Sequence, residues 1–343
     1  MKLLHLFVWA TVLWLTGCAT TQSDTHNSDA AAGLAGTSHS ASSGDGLSLP
    51  PLQPITPAQA RSSGVASLTP PSDLWERIRR GFAMPDLQDD LVDDRVQWYS
   101  TRPDYILRMT QRSSKYLFHI VEELERRGMP TELALLPYIE SAFNPQAVSS
   151  AKAAGMWQFM PATGNYFDLK QNAFRDDRRD VLASTRAALD YLQKLYGDFG
   201  DWPTAVAAYN AGEGKISRAK EGTGGKNFYE IKARNHMLDD KAQLREETKQ
   251  YVPRFLAITK IMRNLPDLGF EPIRPENAPG VQRLTARPGT DLNGMAEACG
   301  MSWGEFAAYN RHHKRRVTDT GRSTFVYVPA QKERQAQAFL QSS

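Results

Sequence analysis

Cysteine is almost missing from this chain: two occur in 343 residues, Cys18 and Cys299. Cys299 has no catalytic neighbours in sequence and reads as a small buried residue. Net charge is equally scarce. The 41 Lys and Arg against 38 Asp and Glu leave +3, which points to no particular partner. It weighs against a nucleic-acid binder, which would usually carry a basic stripe. The seven histidines show no metal-ligand spacing, so no metal site is expected. His312-His313 falls in the basic run RHHKRR, which reads as a solvated face. Gly222-Thr223-Gly224-Gly225 lacks the strand and the Lys-Ser/Thr pair of a phosphate loop. No cofactor is expected, and no apolar run reaches the ~20 residues that a membrane span needs.

What is present begins with MKLLHLFVWATVLWLTGC. Lys2 supplies the positive start, Leu3 to Leu15 the apolar stretch, and Leu15-Thr16-Gly17-Cys18 a small-residue exit, the layout of a secretory signal. An uncleaved anchor helix is the alternative. The Leu-Thr-Gly-Cys exit resembles the bacterial lipoprotein box, which implies a signal peptide over 1–17, lipidation of Cys18 and a membrane partner through that lipid. Ala19 after the cysteine implies the outer membrane, facing the periplasm. With Cys18 lipidated, Cys299 has no partner and no internal disulfide is expected despite export. Residues 18–72 are Ser, Thr, Ala, Gly and Pro with almost no aromatic residue. Such a stretch buries too little apolar surface to offset ordering entropy and reads as a flexible tether.

The segment 73–272 reads as helical. Leu117, Ile120, Val121 and Leu124 form one stripe, ended by Gly128 and Pro130. Leu182, Thr185, Leu189, Leu192 and Tyr196 form another, with Asp180 as N-cap and Gly197 as stop. Thr204 to Asn210 is a short Ala-rich helix opened by Pro203. Val252, Phe255, Leu256, Thr259 and Met262 make a further stripe, in which Pro253 must occupy the first turn or kink the helix. From 280 to 343 the order is strand (Val281 to Ala286), helix (Asp291 to Ala298), helix (Ser302 to Asn310) and strand (Thr324 to Val328), a separate small module. The fold class is mainly α with a small βααβ unit at the end.

Glu140 stands out chemically. Leu133, Leu135, Leu136, Tyr138 and Ile139 precede it, Ala142 and Phe143 follow, and no charged residue adjoins it. Burial disfavours a charged carboxylate and raises its pKa, giving a usable general acid near neutral pH. A glycosidic bond needs such an acid to protonate its leaving oxygen. A buried Glu paired with Arg or Lys is the competing reading.

Glu140-Ser141, then Ala154-Gly155-Met156-Trp157-Gln158-Phe159-Met160-Pro161, then Ala208-Tyr209-Asn210-Ala211-Gly212, resemble three motifs of the lytic transglycosylase family with a goose-type lysozyme fold. Glu247-Thr248-Lys249-Gln250-Tyr251-Val252-Pro253 resembles its closing motif. Order and spacing agree from Pro130 to Phe255, and the flanks resemble a membrane-bound group within that family. The resemblance implies a lysozyme-like helical catalytic domain with Glu140 as the sole acid and base. Ser141 would bond near Glu140 or near the substrate acetamido group. Gln158 and Met160 would line the cleft, Tyr209 and Asn210 would hold the sugar at the cleavage point, and Tyr251 would orient Glu140 or stabilise charge near it. Trp157 could wall the cleft or fill the core.

A second carboxylate is not evident: Asp168, Asp176, Asp177 and Asp180 lie in a polar loop and cap, and Glu213 reads as solvent-facing. The substrate's own N-acetyl oxygen then stands in as internal nucleophile. The resemblance implies that the acid next takes the proton of the muramic acid 6-hydroxyl and closes a 1,6-anhydro ring. The substrate is then the MurNAc–GlcNAc β-1,4 bond of peptidoglycan glycan strands, with other cell-wall enzymes as further partners. A water-using muramidase of the same fold and a non-catalytic peptidoglycan-binding lipoprotein are the alternatives. The final unit resembles a degenerate LysM domain, with Leu292, Met295, Ala296, Met301, Phe306 and Asn310 in matching places. Its opening is Gly289-Thr290-Asp291-Leu292 where that family has Gly-Asp-Thr-Leu, so glycan binding and a packing role both stay open.

Overall fold

The structure is a computed structural model that describes residues 71, 73–85, 89–265 and 273–342. The signal segment, Cys18 and nearly all of the tether lie outside the described residues. Among these residues helices dominate. Asp73 opens α1 (Leu74–Arg80) by accepting a hydrogen bond from the Trp75 N–H at 2.8 Å, a side-chain cap for an otherwise orphaned donor. After it come α2 (Asp90–Ser100), α3 (Pro103–Ser113) and α4 (Leu117–Arg126). All four apolar residues of the α4 stripe are fully buried, as read from the sequence.

A 3-10 turn (Thr131–Leu135) runs into the short α5 (Leu136–Ser141), and a loop leads to α6 (Pro161–Tyr166). The remaining helices of the body are α7 (Val181–Phe199), α8 (Trp202–Ala211), α9 (Glu213–Thr223), α10 (Phe228–Ala233) and α11 (Glu246–Arg263). Ala205, Val206, Ala207 and Ala208 of α8 have no solvent exposure. Their small side chains let α7 and α11 close on α8.

One detail departs from the sequence reading and a second chooses between its alternatives. Asp180 does cap α7, accepting from the Ala183 N–H at 2.9 Å, but the helix passes Gly197 and ends at Gly200, where φ is +68°. Glycine inside a helix costs only about 1 kcal/mol, whereas the left-handed turn at Gly200 redirects the chain. Tyr196 consequently leaves the buried face and stacks on Trp202 with ring centroids 4.2 Å apart. In α11, Pro253 sits in the interior rather than in the first turn. The stripe around it is still buried, so tertiary packing outweighs the missing backbone donor.

The C-terminal unit pairs β1 (Val281–Ala286) antiparallel with β2 (Thr324–Pro329), with Leu284 opposite Val326. Between them lie α12 (Leu292–Ala298) and α13 (Trp303–Tyr309), the order expected. A third helix, α14 (Glu333–Ser342), was not foreseen; it contributes Ala336 to the core. That core gathers Leu292, Met295, Ala296, Cys299, Phe306, Val326 and Val328 and is distinct from the core of the helical body. Asn310 is buried, donating to the Tyr327 carbonyl at 2.7 Å and accepting from its N–H at 2.8 Å.

The basic run is only in part the solvated face that its composition suggested. His312 is 1% exposed, and both His312 and His313 approach the Phe325 carbonyl through Nε2 at 3.0 Å. Burial and the neighbouring His312 push His313 down to about 3, so it is neutral at physiological pH. Within the run His312 is buried and His313 partly so, whereas Lys314, Arg315 and Arg316 are exposed.

Candidate active site

The residues singled out from sequence come from four elements that meet around the end of α5. Glu140 lies in the last turn of that helix. The helix is terminated without glycine: Ala142 (φ +50°) and Phe143 (φ +59°) both take the left-handed conformation, which costs roughly 1–3 kcal/mol at each non-glycine residue. Buried Phe143 secures this turn, with its ring 4.9 Å from that of Tyr138 and its N–H donating to the Pro137 carbonyl at 3.0 Å. Arg112 donates to the Ala142 carbonyl at 3.2 Å. Among the described residues, Lys152, Gln158 and Asp168 are the other non-glycine residues with positive φ, so strain concentrates along this stretch.

Glu140 retains some exposure as a residue, but protein closely surrounds its carboxyl. That burial pushes its pKa up to about 7, while the Tyr251 hydroxyl and the Arg254 guanidinium act downward and Glu247 slightly upward. Tyr251 is 2% exposed and donates its O–H to Glu140 Oε1. Burial, and then the Glu140 charge, hold the Tyr251 and Tyr209 phenols well above their ordinary value. Both are therefore neutral hydrogen-bond donors. Tyr209 donates to the Trp157 carbonyl at 2.8 Å.

The other selected side chains are engaged within the protein. Ser141 Oγ donates to the Met156 carbonyl at 2.9 Å and accepts from the Asn144 N–H at 3.1 Å. Gln158 Nε2 donates to the Gly155 carbonyl at 2.7 Å, closing its own turn. Asn210 Oδ1 accepts from Thr248 Oγ1 at 3.0 Å, which leaves its NH2 group without a protein partner among the described residues. Met160 is 37% exposed at the start of α6. Trp157 is fully buried, with Nε1 donating to Thr185 Oγ1 at 3.0 Å. It fills the core rather than walling a cleft.

Beside Tyr209 lies a groove of about 420 Å³ lined by Ala162, Thr163, Tyr166, Phe167, Tyr191, Lys194 and Glu213. The Tyr191 and Tyr209 rings are 5.5 Å apart, so the groove adjoins the acid's neighbourhood. Its lining combines the aromatic Tyr166, Phe167 and Tyr191 with the polar Thr163, Lys194 and Glu213.

The aspartates available as a second acid are occupied elsewhere. Asp176 pairs with Arg178 at 2.8 Å, Asp168 with Lys170 at 3.2 Å, and Asp180 caps α7. Asp177 lies 3.6 Å from Arg175, and burial raises its pKa to about 6. Glu213 pairs with Lys194 at 3.1 Å. Glu247, exposed on α11, is the carboxylate that bears on Glu140.

Three neighbours were missed from the sequence. Arg254 stands 5.9 Å from the Tyr251 ring, Thr248 holds Asn210, and Arg178 donates to the Lys152 and Phe159 carbonyls at 2.7 and 3.0 Å. Helical spacing of three from Tyr251 could have flagged Arg254 and Thr248. Nothing local marks Arg178.

Residues 119–232 match the family described as Transglycosylase SLT domain, and residues 281–343 match Lytic transglycosylase MltD, LysM-like domain. The chain is 35% identical over 278 residues to membrane-bound lytic murein transglycosylase D of Escherichia coli K12, covering 80% of this chain and 60% of that one. It is 30% identical over 173 residues to membrane-bound lytic murein transglycosylase C of Haemophilus influenzae (strain PittEE), covering 45% of this chain and 48% of the relative. The chain thus spans about 60% of the length of the first of these relatives. Among solved structures, an inactive mutant of lytic transglycosylase Slt from Pseudomonas aeruginosa aligns with a TM-score of 0.34 at 24% identity, over 45% of this chain and 25% of that one. On a chain alignable over four-fifths of its length with a murein transglycosylase, residues 119–232 thus belong to the SLT transglycosylase domain family and residues 281–343 to the MltD LysM-like domain family.

Proposed function

We propose that this protein cleaves the β-1,4 bond between MurNAc and GlcNAc in peptidoglycan by transglycosylation, without consuming water. The observation that carries the reading is one crowded carboxyl, Glu140, poised near pH 7, with every candidate aspartate engaged elsewhere. An acid so poised can both give and reclaim a proton under physiological conditions.

Glu140 protonates the leaving oxygen as the C–O bond opens, and the substrate's N-acetyl oxygen supports the developing positive charge at C1. Glu140, now a carboxylate, receives a hydrogen bond from Tyr251, which favours that charged form. It then takes the proton of the 6-hydroxyl as that oxygen bonds to C1. The proton is returned and no water enters. Tyr209, the free NH2 of Asn210, Gln158 and Met160 are the proposed sugar contacts. Ser141 acts through the Met156 carbonyl that it holds. The partly aromatic groove suits the apolar faces and hydroxyl edges of a sugar.

The helical segment 73–272 is the proposed catalytic domain and 280–343 the LysM-like module. The proposed location is the outer membrane facing the periplasm, through a lipid on Cys18 behind the 18–72 tether. Replacing Cys18 by Ser should move the protein from the membrane to the soluble fraction; retention after high-salt washing would rule out the lipid as the anchor.

The product decides the reaction class. An intramolecular hydroxyl enjoys an effective concentration of up to about 10⁵ M or more in well-oriented systems, so ring closure outcompetes water. Fragments released from purified sacculi should end in 1,6-anhydro-MurNAc, lighter by one water than a lysozyme digest. Reducing ends on most fragments would make the protein a hydrolase, with Glu247 the first carboxylate to test as base.

A further inference from the structure

The loop 167–180 has one face against the candidate active site and the other against the C-terminal module. On the first face, Arg178 is held by Asp176 in a two-pronged pair, Nε to Oδ1 at 2.9 Å and Nη2 to Oδ2 at 2.8 Å. Its Nη1 then donates to the carbonyls of Lys152 and Phe159. Those two carbonyls bracket the segment whose own carbonyls receive Ser141 and Tyr209.

On the second face, the Asp176 N–H donates to the His312 carbonyl at 2.8 Å. Arg175 Nη1 donates to Thr324 Oγ1 at 2.9 Å, Asn172 Nδ2 to Asp319 Oδ2 at 2.9 Å, and the Tyr327 hydroxyl to Asp180 Oδ1 at 2.7 Å. The Lys314 N–H donates to the Phe174 carbonyl at 2.7 Å. Asp176, Arg178, Asp180, His312 and Tyr327 are all buried. A seam of buried polar groups gains little over an apolar one in stability. It does demand fixed geometry, because each group left unpaired costs about 1–3 kcal/mol.

We propose that the C-terminal module is a brace for catalysis: its seam fixes the loop 167–180, and Asp176 and Arg178 are positioning residues that set the 152–159 segment against Ser141 and Tyr209. This rests on the transglycosylase reading above. A module that only bound glycan would act on substrate capture; a brace acts on the rate of the bound complex, even for substrates too short to reach the module.

The test uses the full chain carrying Asn172→Ala, Thr324→Val and Tyr327→Phe together, which removes three seam hydrogen bonds without emptying either core. On short soluble peptidoglycan fragments, kcat should fall about tenfold with KM within twofold of the parent. Hydrogen exchange of the 152–159 amides should rise, although none of the substituted residues lies there. Arg178→Lys, which keeps the charge and loses the fork, should reproduce both effects. Unchanged exchange at 152–159 in both variants overturns the brace. So does a loss confined to KM, which would leave the module a binding unit. A parent protein without turnover on any fragment would fail the functional reading instead, and the exchange comparison would still decide the mechanical one.

Discussion

Replacing Glu140 by Gln is expected to lower turnover by roughly 10³-fold or more, since one general acid–base group contributes about 10²–10⁴ and here serves two proton transfers. The amide keeps the shape and still accepts from Tyr251, so the fold should persist. The same variant should be more stable than its parent at alkaline pH. Burial raises the Glu140 carboxyl from 4.5 in the unfolded chain to about 7. Below pH 4.5 it is protonated in both states and contributes nothing to the difference. Between 4.5 and about 7 the folded protein holds a proton that the unfolded chain has released, so parent stability falls as pH rises. Above about 7 the cost is complete, on the order of 3–4 kcal/mol at 1.36 kcal/mol per unit. Denaturant titrations of both proteins at pH 4.5 and 8.5 would measure it. The parent's rate should decline above pH 7 as the acid loses its proton. Near-parental turnover by a correctly folded Gln variant would remove Glu140 from the chemistry.

Gly155→Ala should be the most destabilising single methyl addition near the site. Gly155 has φ +84°, and a Cβ there would lie 1.8 Å from the Arg178 carbonyl oxygen. That oxygen belongs to the backbone of the loop braced on its far side, so it cannot rotate away. A loss on the order of 3–5 kcal/mol is expected, in the range reserved for overpacking and backbone strain. Gly200→Ala is the control: φ is +68° and ψ +10°, with open space around the position, so only left-handed strain of about 1–2 kcal/mol applies. Urea midpoints of the two variants separate clash from strain. Equal losses would mean that the close approach to Arg178 is not what Gly155 provides.

Much of the helical order was legible because amphipathic spacing is a local property. The α4 stripe, the Asp180 cap and the β-α-α-β order of the final unit follow from residues a few positions apart. The end of α7 was misjudged because two glycines three residues apart are equivalent in sequence, and only one adopts positive φ. The motif residues around Glu140 were legible as a group, but their partners were not. Ser141, Gln158 and Trp157 spend their polar atoms on Met156, Gly155 and Thr185, which no spacing announces.

By itself the sequence determined that an acid lies in an apolar setting, with amide and phenol groups at family-like spacing and no evident second carboxylate. Those are facts of composition and local order, and burial of an apolar run follows from them. Only the tertiary structure decided that Tyr251 reaches Glu140 across 111 positions, leaving its pKa near 7 rather than higher. It also decided that His312 is buried against the helical body rather than solvated. Both depend on what surrounds a charge or an imidazole within a few ångströms, because the electrostatic cost of a group is set by its neighbours in space and not along the chain.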